Sequence, residues 1–275
     1  MRAGHFIYHF NGMTAIERLL IRTGCNAASL VLCQSESLAS QFRRIAPRSR
    51  IDFIYNMIDT EKFSNPALLA YEKNAVLFLG HLDHSKGYCD LIKALPRVVA
   101  AHPAAQFYFA GTKIKLKKRP HNVLHNQLTG ARLDWVDPDQ CFDDCVRGQY
   151  DRHYIYLGVL DEEKKIDWLR RCNMLVLPSY SEGFSMAVLE ALAVGKPVVC
   201  TPVGALADVI QDGVHGLWVQ PGDVEGLAKV IIAMLADGDT RDRMAATNYQ
   251  YARSQFSKER IADQLIGRMQ QVAGG

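Results

Sequence analysis

The segment Pro178–Gly204 reads PSYSEGFSMAVLEALAVGKPVVCTPVG. The run Asn173-Met174-Leu175-Val176-Leu177 leads into it, has the length of a strand and stops at Pro178. A polar loop, Ser179-Tyr180-Ser181-Glu182-Gly183, follows. Ser185 stands where an N-cap belongs, and Met186 to Val194, rich in Ala and Leu, reads as a helix. Gly195 sits where that helix stops, and Pro197-Val198-Val199-Cys200 is the next strand. The unit is β-loop-α-β, with a ligand-sized loop at the carboxyl end of a strand. In open α/β sheets that is where ligands bind.

Two carboxylates lie in this unit, eight residues apart: Glu182 in the loop and Glu190 on the second turn of the helix. The free N–H groups at a helix start favour an anion such as a phosphate. Glu190, with two acceptor oxygens, can receive both hydroxyls of a ribose diol. Glu182 can hold a hydroxyl of a second sugar beyond the phosphates. A helix start for a diphosphate, with a carboxylate on each side, outlines a nucleotide-sugar site. Taken alone, the two acids also fit a solvated loop and a solvated helix face.

The wider pattern separates these readings. Glu182-Gly183-Phe184-Ser185, Glu190-Ala191-Leu192-Ala193, Gly195-Lys196-Pro197-Val198-Val199, and Gly204 with Asp208-Val209-Ile210 resemble one known signature. It is the donor-site signature of family 4 glycosyltransferases, the retaining GT-B group that carries Glu, seven residues, Glu. The resemblance continues through Asp212-Gly213, Gly216-Leu217, Val219 and Pro221-Gly222-Asp223. Where that family usually has Gly, this chain has Ser185, which keeps a backbone N–H and is the better cap.

Upstream, Asn74–Leu79 reads as a strong strand, and Gly80-His81-Leu82-Asp83-His84-Ser85-Lys86-Gly87 as a glycine-bounded loop with one lysine. A helix follows to Ala101, with a kink expected at Pro96, and Gln106–Ala110 is a strand ending at Gly111. Lys86 is a point charge suited to phosphate, although a solvated loop lysine fits the residue alone. The unit resembles the family's second donor motif, which implies that Lys86 holds the donor diphosphate. The family usually has Arg where His81 stands. A histidine can donate a hydrogen bond but is only partly charged near neutral pH, so a weaker or shifted diphosphate site is implied. Tyr154–Leu157 is a strand ending at Gly158, and Asp161 caps a helix to Arg171. The resemblance places the backbone after that strand beside the nucleotide base. Helices over Asp223–Ala236, Thr240–Phe256 and Ser257–Gln271 follow, the last implied to cross back to the N-terminal part.

Before all this, Phe6–Phe10 reads as a strand, Asn11-Gly12 as a turn, and Thr14 as the cap of a helix to about Gly24. Leu30–Cys33 and Ile51–Ile54 are strands around a helix from Ser35 to Ile45. Such β/α alternation predicts a mostly parallel sheet. The run Tyr8–Gly12, Ser35, and Asn56-Met57-Ile58-Asp59 with Phe63 resemble the end of the family's N-terminal domain, with Asn11 where His is common. The family carries further strands and helices before this point, so the chain reads as N-terminally truncated. The fold class is α/β and GT-B-like, with a complete C-terminal Rossmann-like domain and an incomplete N-terminal one. Residues 1–59 are the remnant of the acceptor-side domain. Residues 60–256 are the nucleotide-sugar-binding domain, with 112–152 as an insertion, and 257–275 pack back on the N-terminal part. With Phe6, Tyr8 and Phe10 on one side of a strand, a bare edge and face are expected. Self-association or a complementing chain would cover them.

Composition sets the remaining bounds. Of 275 residues, 48% are hydrophobic and 22% charged, an ordinary globular balance. A net charge of +3 gives no footprint for nucleic acid. No apolar run approaches the roughly 18 residues of a membrane span, and the start lacks a signal-peptide apolar core. Seven cysteines, an odd count with several in apolar contexts, fit reduced thiols in the cytoplasm. Cys141 and Cys145 have a spacing that could suit a metal, but no second pair stands at zinc-finger spacing. The segment 112–152 is polar, irregular and longer than the family usually carries. It opens on Lys113-Ile114-Lys115-Leu116-Lys117-Lys118-Arg119, which fits either a solvated loop or a peripheral contact with anionic lipid at the inner membrane face. Gly130, Asp134, Trp135, Asp137 and Pro138 mark ordered turns within it.

The resemblance implies transfer of a sugar from a nucleotide-sugar donor to a saccharide or lipid-linked acceptor with retention of configuration, in polysaccharide or glycoconjugate synthesis. Lys86 and the N–H groups of Phe184, Ser185 and Met186 would hold the diphosphate, with Gly80, His81 and Gly183 beside them. Glu190 would bind the ribose and Glu182 the transferred sugar, and Glu182 and Lys86 would be the catalytic pair. No metal or other cofactor is implied, because the lysine and the helix dipole take its place. Two alternatives stand beside this reading. One is a non-catalytic nucleotide-sugar-binding fragment that needs a partner chain. The other is a sugar-nucleotide epimerase of GT-B architecture, against which the Glu182–Glu190 spacing counts.

Overall fold

Short apolar runs alternating with helices build two parallel sheets. The computed structural model describes residues 10, 12–65, 72, 74–113, 124–134 and 136–274. The first sheet is small. Helix α1 (Ala15–Ala27) precedes strand β1 (Val31–Cys33), helix α2 (Glu36–Ile45) and strand β2 (Ile51–Phe53). The two strands pair in parallel, Val31 opposite Ile51, around a core of Cys33, Ala39, Ala46 and Ile51. Helix α1 starts with a full capping box between Thr14 and Glu17 and contains no buried residue. Its Ile16, Leu19 and Leu20 are 71, 63 and 66% exposed, an apolar row turned to solvent.

The second sheet holds the main core. The chain runs through β3 (Ala75–Leu79), α3 (Tyr88–Ala101), β4 (Gln106–Ala110), a separate antiparallel pair β5 (Leu124–His125) and β6 (Arg132–Leu133), α4 (Pro138–Cys145), β7 (Tyr154–Gly158) and α5 (Glu162–Arg171). Then come β8 (Met174–Leu177), α6 (Met186–Ala193), β9 (Val198–Cys200), α7 (Leu206–Val209) and β10 (Gly216–Trp218). Helices α8 (Val224–Ala236), α9 (Gly238–Phe256) and α10 (Lys258–Ala273) close the order. Every residue of β8 and β9 is buried, the continuous apolar pattern of central parallel strands.

Six strands lie in the order β10-β9-β8-β3-β4-β7, all parallel. From β3 the chain winds out through β4 to β7. It then returns to the other side of β3 as β8 and winds out through β9 to β10. The direction of winding therefore reverses between β3 and β8. A sheet of this order opens a crevice at the carboxyl ends of the strands where it reverses. The loop after β3 carries Lys86 and the loop after β8 carries Glu182, one on each side of that crevice. Two glycines let these loops close on their neighbours. Gly87 has φ +71°, and a Cβ there would collide with the Pro178 carbonyl. Gly204 has φ +56°, and a Cβ there would collide with the Glu182 carbonyl.

The structure departs from the sequence reading at several places. The expected strand Phe6–Phe10 lies outside the described residues except for Phe10, as do Ile7, Tyr8, Asn11 and Trp135. Phe10 is helical, not extended, and is 4% exposed against Ile45, so it is not a bare aromatic. Positions 114–119 of the basic run are also outside. Its first member, Lys113, sits 3.6 Å from Asp139 and over the rings of Phe142 and Tyr156, so this lysine is engaged by the protein itself. Helix α1 runs past Gly24 to Ala27, and α3 continues through Pro96. Helix α4 is an element the sequence reading missed within 112–152. Asp137 caps it through the N–H groups of Asp139 and Gln140 and Pro138 opens it, so the Asp-Pro pair starts a helix rather than marking only a turn. Its Cys141 is buried with its thiol on that of Cys89 from α3, so helix packing accounts for the Cys141–Cys145 spacing. Among the described residues no group of three or more His, Cys, Asp or Glu is placed to hold a metal.

Helix α10 carries Arg268, whose Nε donates to Asp52 Oδ2 at 2.7 Å, and Gln271, which accepts from Arg50 at 3.2 Å. No described helix is long and apolar enough to cross a membrane.

Candidate functional site

The loop after β3 is built to aim a lysine. Asp83 caps a single 3-10 turn, His84–Lys86, by accepting from the Lys86 N–H at 3.1 Å and from Ser85 Oγ at 2.5 Å. Lys86 Nζ then reaches across the crevice and donates to both carboxylate oxygens of Glu182, each at 2.7 Å. The side chains are 19% and 4% exposed, so water screens the pair far less than it would on the surface. Glu182 also accepts from Ser179 Oγ at 2.7 Å, and its own N–H donates to Gln127 Oε1 at 3.1 Å. The Gln127 N–H in turn donates to the Tyr180 carbonyl at 2.9 Å. Gln127 lies in the turn joining β5 to β6, so part of the segment read as an irregular insertion braces the site loop.

Beneath the loop, the Tyr180 ring packs on His84 at 4.8 Å, and the Tyr180 hydroxyl is hydrogen-bonded to Asp90. Burial pushes the Asp90 carboxyl above its ordinary value and the His84 imidazole below its own. Of the other expected residues in this loop, Gly80 donates its N–H to the Ala110 carbonyl at 3.0 Å, and His81 lies exposed at the rim.

Helix α6, like α3 after Gly87 and α7 after Ala205, starts without a side-chain cap. Thr14, Ser35, Asp137, Asp161, Asp223, Asp237 and Ser257 each cap a helix with the side chain. Ser185 occupies the N-cap position with extended backbone but makes no side-chain cap bond. The serine is therefore not acting as the better cap that its chemistry allows, and the first-turn N–H groups keep no side-chain acceptor. The loop before it is fixed by other means. The Gly183 carbonyl accepts from the Ala205 N–H at 3.0 Å, and the Phe184 ring packs against Tyr55 and Phe256 at 5.9 and 6.5 Å. Met186 is 38% exposed, with Asn56 Nδ2 3.6 Å from its sulfur.

Glu190, one turn inside α6, is 7% exposed. Its Oε1 accepts from Lys165 Nζ of α5 at 2.5 Å. Burial pushes its carboxyl above the ordinary glutamate value, and the Lys165 ammonium pulls it partly back. The structure thus brings Lys86 and Glu182 into direct contact and gives Glu190 a separate partner. Sequence reasoning missed that partner and Gln127. Lys165 carried one available signal, its place on the first turn of a helix capped by Asp161 just after β7. The turn around Gln127 was marked only by Gly130.

The switch point thus gathers a lysine, two buried carboxylates and a helix start without a side-chain cap. The family model described as glycosyl transferases group 1 matches residues 59–251. The chain belongs to this family. Among related group 1 and other glycosyltransferases, the glycogen synthase of Mycobacterium tuberculosis is 28% identical over 90% of this chain and 54% of its own length. The phosphatidyl-myo-inositol mannosyltransferase of the same organism is 31% identical over 80% of this chain and 54% of its own. The chain spans about half the length of these curated relatives. The crystal structure of Anabaena HepE in complex with UDP superposes with a TM-score of 0.77 at 19% identity, over 94% of this chain and 68% of that one. Structural neighbours of this kind are GT-B glycosyltransferases, and the α/β arrangement of parallel sheets here is theirs.

Proposed function

We propose that this group 1 glycosyltransferase moves a sugar from a nucleotide-sugar donor to a saccharide or lipid-linked acceptor, with retention at the anomeric carbon. The observation that carries the reading is the Lys86–Glu182 pair spanning the switch point, beside a helix start with no side-chain cap. Without donor, Lys86 is balanced by Glu182. A donor diphosphate offers Lys86 a more highly charged partner and offers the N–H groups of Phe184, Ser185 and Met186 an acceptor. Glu182 is then released to accept a hydroxyl of the transferred sugar, and Glu190 accepts from the ribose. As the sugar–phosphate bond breaks, negative charge grows on the leaving diphosphate. Lys86 and the helix start are already placed where that charge develops, and such preorganised donors contribute most of an enzyme's electrostatic stabilisation. In this reading they carry the diphosphate without a metal or another cofactor. His81 is a rim donor.

The UDP bound by HepE supports the donor class, and the two mycobacterial relatives support a saccharide or a lipid-linked acceptor. All seven cysteines are unpaired, which supports a reducing compartment and hence the cytoplasm. The test is calorimetry with UDP-, GDP- and ADP-sugars, followed by NMR of the anomeric product. One nucleotide sugar should bind in preference to the others and its anomeric configuration should persist in the product. Binding of none would sink the donor reading, and an inverted product would sink retention alone.

A further inference from the structure

Glu190 has a partner of its own on the neighbouring helix α5. Lys165 lies in the first turn of α5, the helix that follows β7, and its Nζ takes Glu190 Oε1 at 2.5 Å. The pair is inside the surface, with side chains 23% and 9% exposed. Only Oε1 is used, and Oε2 has no protein partner among the described residues. Lys165 is itself held in place. Its ammonium lies 5.5 Å from the Phe63 ring centroid, and its helix is fixed by the Asp161 cap on the Lys164 N–H at 2.9 Å and by Arg170 on the Ser64 carbonyl at 2.8 Å. A buried carboxylate without such a cation would take up a proton or rotate away. Either change would spoil it as an acceptor for two hydroxyls of one ring.

We propose that Lys165 is a positioning residue that sets ribose selectivity by fixing Glu190 through Oε1 and leaving Oε2 free. This rests on the donor-site reading above. The other charges around Glu190 are few. Glu162, on the same helix as Lys165, opposes ionisation, and Glu162 is itself paired with Lys62. Lys165 is therefore the cation that partly offsets burial at this carboxylate. A merely structural tie between α5 and α6 would predict the same pair but would give it no influence on which nucleotide binds.

The experiment uses the full chain with UDP, GDP and ADP, each compared with its 2′-deoxy counterpart by calorimetry between pH 5.5 and 8. Wild type should prefer the ribose form of the nucleotide it binds. Lys165→Met should reduce that preference about tenfold, the loss expected when a hydrogen bond to a charged group is misplaced. It should also move the acid limb of binding to higher pH. Lys165→Arg should restore both. In a Glu190→Gln background, Lys165→Met should have no further effect on the preference, which separates loss of positioning from misfolding. A wild type that binds none of the three overturns the site reading and this inference with it. A wild type that binds, with the preference and acid limb unchanged in Lys165→Met, overturns the inference alone.

Discussion

At the scale of residues, the site is two lysine–glutamate pairs, and each pair makes a prediction with a sign. Lys86 and Glu182 compete with any bound diphosphate for one another. Removing the lysine should weaken nucleoside diphosphate binding by roughly 1.5–3 kcal/mol while leaving the nucleoside almost unaffected. Removing the competitor should act the other way. Glu182→Gln should bind the diphosphate at least as tightly as wild type while transfer falls, because the glutamine no longer claims the Lys86 ammonium. Calorimetry of both variants against one nucleotide decides this, and a diphosphate affinity that drops in Glu182→Gln would mean the glutamate supports the phosphates directly. Glu190 gives a pH prediction. Its folded-state carboxyl is held above the ordinary 4.5 by burial. Such a group adds stability while protonated and loses it as pH rises from 4.5 through the raised folded value. Glutamine cannot ionise, so the melting temperature of Glu190→Gln minus that of wild type should grow as pH climbs through that window. A difference that stays flat or shrinks between pH 4 and 8 would show that Lys165 fully compensates the burial.

At the scale of elements, what was legible depended on period and length. Strands β8 and β9 are unbroken apolar runs, α6 is an Ala- and Leu-rich stretch between Ser185 and Gly195, and both could be placed from the chain alone. Lys86, Glu182 and Glu190 could be singled out because loop and helix positions next to those strands are where a ligand must lie. Gln127 and Lys165 could not. Each is a single polar residue with no period of its own, brought in from 55 and 25 positions away by folds of the chain that only packing decides. Helix α4 was hidden for a different reason, since its Asp-Pro start is shared by turns and its eight residues are too short to show an apolar stripe. The β5–β6 turn now has a definite role. Gln127 ties it to the Glu182 N–H and the Tyr180 carbonyl, so Gln127→Ala should release the loop after β8. Transfer should fall by more than nucleotide affinity, because the proposed function gives Glu182 the transferred sugar, and Glu190 makes no hydrogen bond to Gln127. Steady-state kinetics beside calorimetry would check the split, and equal losses in both would place Gln127 in donor binding itself.

At the scale of the whole molecule, two sheets of very unequal strength share one chain. The six-stranded sheet carries nearly all the large buried side chains, whereas the core between β1, α2 and β2 is four small or medium residues. A unit that small stabilises itself poorly and depends on what it leans against. It leans on the rest of the chain at several points. Ser37 of α2 donates its N–H to Asp208 of α7 at 2.9 Å, and Tyr55 sits among Phe53, Phe184 and Phe256 at 5.2, 5.9 and 5.6 Å. Burial raises the Tyr55 phenol to about 12. The Arg268–Asp52 bond adds a further contact, but its groups are partly exposed and such pairs contribute only about 0–1 kcal/mol. Tyr55 therefore links the small sheet to the loop after β8, since the same ring touches Phe184. Tyr55→Ala should cost about 2 kcal/mol, less than the 3–5 typical of a fully buried aromatic because the ring is only half-buried. That loss should fall unevenly. Amide hydrogen exchange over residues 31–53 should quicken many-fold, while the amides of β3, β4 and β8 keep their protection, because local openings draw on the weakest unit first. Uniform acceleration across both sheets would mean that they unfold as one cooperative body and that Tyr55 is simply part of a common core.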